Sequence, residues 1–130
     1  MADSNNYQAW IRRAEQDLRV LRTLHKNGFE EMEDSVCYNC QQAAEKLLKA
    51  FLLMKENQLI KTHDLTFLLD QCSHFDKRFK DFEDSLTVLN QYALSARYPG
   101  DFSGSRNLEE AMEAFVHLEE FYSFIRPIFI

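Results

Sequence analysis

Glycine and proline are scarce, with 3 and 2 in 130 residues. Sandwiches and small barrels need a turn signal about every ten residues, so a fold of many short strands is excluded. Cysteine is scarce and odd in number: Cys37, Cys40 and Cys72. No even disulfide framework follows, which points to a reducing compartment and a cytoplasmic protein. Cys37 and Cys40 form a C-x-x-C, but no second such pair and no paired histidines complete a four-ligand zinc site. A thioredoxin-like motif would follow a strand, whereas this stretch reads as helix. Two small side chains buried on one helix face is the simpler reading, with no metal and no cofactor expected. Basic charge is also short, with 15 bases against 21 acids and a net charge of −6. Such a chain is not a general binder of DNA or RNA through phosphate neutralisation. No apolar run approaches the ~20 residues needed to span a bilayer, and the polar stretch Met1 to Tyr7 gives no secretory signal. No membrane association is expected, and the apolar end from Phe121 to Ile130, broken by Arg126 and Pro127, reads as a packed last helix or a subunit contact.

What is present is a globular core. Apolar residues make up 45% and aromatics 13%, too rich for disorder. The length predicts one domain over 1–130, with a core over about 7–126, able to bury roughly two thirds of its unfolded surface.

The apolar spacing is helical throughout. Trp10, Ala14, Leu18, Leu21 and Leu24 or His25 mark a first helix from Tyr7 to Lys26, stopped at Asn27-Gly28. A second helix runs from near Glu31 to about Glu56 on a stripe of Cys37, Cys40, Ala44, Leu47, Leu48 and Phe51. Its first turn is rich in acids, which the helix dipole favours. Thr62 is predicted to cap a short third helix, His63 to Cys72, followed by a polar connection from His74 to Lys80. Phe82, Leu86, Leu89 and Ala93 mark a fourth, ending before Pro99. A loop over Gly100–Ser105 leads to Asn107 and Glu110, spaced as a capping box. The last helix carries Leu108, Met112, Phe115, Leu118, Tyr122 and Ile125. The expected fold is an all-α, antiparallel up-and-down bundle of four to five helices.

Four polar groupings are candidates for function. On the second helix Gln42, Lys46 and Lys49 share one face, with Gln41 and Glu45 at its edge. They form either a cationic strip for phosphate or a partner, or a solvated face with Glu45 and Lys49 as an i,i+4 pair. In Thr62-His63-Asp64-Leu65, the His63 imidazole either binds an anion near a helix start or completes a local hydrogen-bond network. In Arg97-Tyr98-Pro99, Arg97 offers a planar fork for phosphate or caps its own helix, and Tyr98 offers a stacking ring. The first helix places Arg12, Arg19 and Lys26 at a spacing of seven, on one side. That face either meets RNA or an acidic partner, or is simply solvated. No G-x-S-x-G, glycine-rich phosphate loop or H-E-x-x-H occurs.

The order of these segments resembles one family. A Trp and a Leu-Arg stretch precede Cys40-Gln41-Gln42-Ala43-Ala44-Glu45-Lys46-Leu47-Leu48-Lys49-Ala50, then Thr62-His63-Asp64-Leu65, then Tyr92 and Arg97-Tyr98-Pro99. From about Trp10 to Phe124 this is similar to the HEPN domain (higher eukaryotes and prokaryotes nucleotide-binding). The resemblance implies a homodimeric helical bundle and often a minimal nucleotidyltransferase as partner, in a two-component module of toxin–antitoxin type. The expected activity is binding of such a partner, of a nucleotide, or of both, with Lys46, Lys49, His63, Arg97 and Tyr98 as the expected polar contacts to either.

Many HEPN proteins are metal-independent ribonucleases with a late Arg-x(4–6)-His motif. There histidine serves as general acid–base on a ribose hydroxyl and arginine stabilises phosphorane charge. Here Arg97, Arg78, Arg106 and Arg126 have no histidine at that interval. Arg19 and His25 match it formally, but on the first helix and roughly 120° apart. The expected protein is therefore a binding module without ribonuclease chemistry. A ribonuclease with an unconventional site and a purely structural interaction protein are the alternatives.

Overall fold

The computed structural model describes residues 6–95 and 105–130. Helix α1 spans Tyr7–Asn27, and the Asn6 side chain caps it by accepting the Gln8 N–H. Gly28 closes it at φ 93°, in the left-handed region where a side chain is strained. Ala9, Ile11, Ala14, Leu18 and Leu21 face inward, while Trp10 is only half-buried. Helix α2 spans Glu33–Glu56 and starts two residues later than Glu31, because Glu31 takes a positive φ of 69°; Glu33 and Asp34 form its first turn. This helix is the axis of the molecule. Val36, Cys37, Cys40, Ala44, Leu48 and Phe51 are all essentially inaccessible to solvent. Cys37 and Cys40 are thus core thiols, and burial pushes Cys37 up to about 11.

The path after α2 sets the topology. α3 spans Leu65–Ser73, yet it runs in the same direction as α2. His63 lies against Gln41 and Glu45, Cys72 reaches the Leu48 carbonyl, and Phe75 meets Phe51. The eight residues 57–64 therefore return along α2 before α3 begins. Extended chain makes this possible, since eight residues reach about 26 Å while the stretch of helix retraced is about 20 Å. α1 with α2, α3 with α4 (Glu83–Asn90), and α4 with α6 (Leu108–Ile125) are antiparallel, and α6 therefore packs parallel to α2, with Asp34 of the α2 start accepting from the Arg106 N–H at the α6 start. A 3₁₀ turn over Arg126–Phe129 ends the chain.

Several boundaries differ from the sequence reading. Asp64, not Thr62, caps α3 by accepting the Thr66 and Phe67 N–H groups, and the Thr62 hydroxyl accepts the Asp64 N–H instead. The segment read as a polar connection is largely a 3₁₀ helix, Lys77–Phe82, with Phe79 fully buried among Phe51, Phe121 and Phe124. The fourth helix breaks at Gln91 into α4 and a single turn, α5, over Tyr92–Ser95. The capping box at Asn107 and Glu110 is present in both directions. On α6, however, Ala111, Ala114, Phe115, Leu118, Phe121 and Ile125 form the buried face, and Leu108 and Met112 point outward. No helix among the described residues is long and apolar enough to cross a membrane.

Candidate functional site

Three elements bring polar side chains to one patch beside α2. Glu45 is its centre. The carboxylate is 6% exposed and accepts from Lys49 Nζ at 2.8 Å and Gln41 Nε2 at 3.2 Å. His63 Nδ1 lies 3.0 and 3.1 Å from its two oxygens. Gln41 Nε2 also donates to the His63 carbonyl, and Gln42 donates to Gln41 Oε1. Gln41, Glu45 and Lys49 recur every four residues, so one helix stripe supplies acceptor and donors together. The Trp10 ring of α1 lies 5.8 Å from Lys49 Nζ, within cation–π range.

The network explains why the return segment sits where it does. A carboxylate this deep is costly unless paired and hydrogen-bonded. Lys49 supplies the charge, while Gln41 and His63 fill the remaining acceptor sites. The following turn is tied separately, because Asn90 accepts the Leu65 N–H and donates to Asp64. The Asp64 carboxyl is held below its usual range, chiefly by the Thr66 hydroxyl.

Of the residues expected from sequence, Lys46, Lys49 and His63 come to this side of the molecule, and Arg97 and Tyr98 lie outside the described residues. Lys49 is only 7% exposed, with its charge turned onto Glu45. Lys46 is paired with Asp17 of α1 at 2.6 Å. Both ammonium groups are thus compensated within the chain. His63 is different: its side chain is 55% exposed with Nδ1 inward on Glu45. Gln41 and Glu45, read from sequence as the edge of the lysine face, are the centre of the patch, and their four-residue spacing with Lys49 carried that signal. Trp10 was not anticipated, because its contact depends on how α1 docks.

The opposite side has another character. α1 and α6 are joined by the Arg22–Glu119 fork, the Tyr122 hydroxyl donating to Glu15, and His25 stacked on Phe115 at 4.7 Å. Beyond that seam, Leu108, Met112 and Val116 of α6 stand 40%, 40% and 51% exposed. Their four-residue spacing makes an oblique apolar stripe. Arg12, Arg19 and Lys26 flank it on the α1 side, all exposed and without an ion-pair partner among the described residues. Glu109, Glu113 and Glu120 flank it on the far side. His117 sits at the α4 edge, where Nδ1 lies 3.0 Å from the Ser85 hydroxyl. No group of three or more His, Cys, Asp or Glu arranged to hold a metal occurs among the described residues.

Comparison with known proteins places this arrangement. Residues 7–128 match the family model of the HEPN domain. The chain is similar to the crystal structure of TT1696 from Thermus thermophilus, at 24% identity and a TM-score of 0.77, covering 95% of this chain and 98% of that one. It is also similar to ST0689, an archaeal HEPN homologue, at 22% identity and a TM-score of 0.69, covering 94% and 96%. Likeness at such identities establishes the fold. No curated protein matches the chain.

Proposed function

This chain belongs to the HEPN domain family, and from that premise we propose that it is a non-catalytic binding module. It pairs with a second copy of itself and docks a minimal nucleotidyltransferase-type protein, in a two-component system of toxin–antitoxin kind. The observation that carries this reading is the outer face of α6, where Leu108, Met112 and Val116 lie between a basic and an acidic edge. Exposed apolar side chains occur singly on any surface, but three in line with opposite charge on either side fit a protein partner. A two-fold axis running along α6 sets the Arg12, Arg19 and Lys26 edge of one copy against the Glu109, Glu113 and Glu120 edge of the other. α6 has 18 residues and is about 27 Å long.

Lys46, Lys49 and His63, with Arg97 and Tyr98, are the residues proposed for polar recognition of a nucleotide or of the partner. His63 leads among the described ones, because both lysines are already paired. RNA cleavage is disfavoured by the missing late Arg-x(4–6)-His motif and by the acidic neighbours of His117, among them Glu113 at 3.4 Å. The test is affinity purification of the tagged chain from its host. A nucleotidyltransferase-type subunit recovered in near-equal amount supports the two-component part of the reading. Recovery of this chain alone overturns the two-component part, and cleavage of single-stranded RNA abolished by a histidine substitution overturns the non-catalytic part.

A further inference from the structure

Four histidines are available for comparison, and only one is set up as a nucleophile. His25 stacks on Phe115 and meets the Phe29 ring at a tilt. His117 is engaged at both ring nitrogens, Nδ1 with Ser85 and Nε2 with Glu113. His74 is exposed, and its nearest carboxylate, Asp70, is itself exposed and 3.8 Å away. His63 alone has Nδ1 on a buried carboxylate while most of its side chain is open to solvent.

That geometry dictates the tautomer. Ionised Glu45 only accepts hydrogen bonds, so Nδ1 carries the proton and the neutral ring presents the Nε2 lone pair. Lys49 and Gln41 hold the carboxylate, and Gln41 also ties down the His63 carbonyl. A base fixed by a third group is the general form of an activated side-chain nucleophile. We infer that His63 is a phosphoryl-acceptor site, modified at Nε2 by donors of the phosphoramidate class, including a phosphohistidine on another protein. In the step, the Nε2 lone pair forms a bond to phosphorus as the donor P–N bond breaks, and the leaving nitrogen takes that electron pair. With phosphoramidate itself, ammonia departs with the three hydrogens it already carries. The positive charge left on the His63 ring is met by Glu45 through the retained Nδ1–H. The inference rests on the Glu45 patch and is independent of the α6 docking face.

The test is treatment of the purified full chain with potassium phosphoramidate, read by intact mass, peptide mapping and phosphorus NMR. His63 is expected to gain one phosphoryl group first, at Nε2, about tenfold faster than the exposed His74. Glu45→Gln is expected to slow His63 by about the same factor and leave His74 unchanged. If circular dichroism finds that variant unfolded, Glu45→Gln/Lys49→Met removes both buried charges together and is read instead. Equal labelling of His63 and His74, attachment at Nδ1, or an undiminished rate in the folded glutamine variant overturns the inference.

Discussion

Around Glu45, charges from α2 and a ring from the return segment satisfy one another, and the neighbouring Lys46 does the same with Asp17. Along α6, by contrast, apolar side chains and charges of both signs face outward, and the bases of the α1 edge have no ion-pair partner among the described residues. Electrostatics gives the two regions opposite roles. A buried, fully partnered network is expensive to break, so its members shape the fold even where one edge is exposed. Side chains that the fold does not use are cheap to replace and are informative about what lies outside the chain.

The buried network is the more sensitive of the two regions. Glu45→Ala strands the Lys49 ammonium and is expected to cost ~3–5 kcal/mol in urea unfolding. Removing Arg12, Arg19 or Lys26 singly is expected to change stability by no more than about 0.5 kcal/mol. At the α6 face, Leu108→Ser/Met112→Ser/Val116→Ser is expected to abolish self-association and leave the helical spectrum intact. Charge reversal sharpens this: glutamates at Arg12, Arg19 and Lys26 weaken pairing, and reversing Glu109, Glu113 and Glu120 as well restores it.

Smaller effects mark the element ends. Asn107→Ala removes half of the α6 capping box, at a cost of about 1 kcal/mol in thermal or urea unfolding. Asp64 supplies the smallest effect, through pH. Its carboxyl is lowered from an ordinary value of 3.8, mainly by the Thr66 hydroxyl. Its contribution is therefore complete above 3.8 and is lost as pH falls through the lower folded value. Asp64→Asn, which keeps a capping oxygen, is expected to flatten acid unfolding below that pH and leave neutral stability nearly unchanged.

The helices were legible because periodicity reports which face is buried. α1, α2 and the α6 cap emerged with boundaries close to those observed. Two features were not legible, for physical reasons. Phe79 sits in a stretch rich in charge, and only tertiary packing among Phe51, Phe121 and Phe124 makes it core. Leu108 and Met112 fit the helical period of the core, but α6 turns Ala111 and Ala114 inward, where small residues let it approach α2. At the candidate site, residue types and helix faces were readable, including the Glu45–Lys49 pair. The parallel return of α3, which seats His63 on Glu45, depends on an extended crossing that has no periodic signature.

The most direct test of the docking account is the mass of the chain in solution by light scattering, for the wild type and for the triple serine variant of α6. Pairing through α6 gives twice 15.4 kDa for the wild type and a single-chain mass for the variant. A wild-type mass of one chain, or a variant that still pairs, contradicts it.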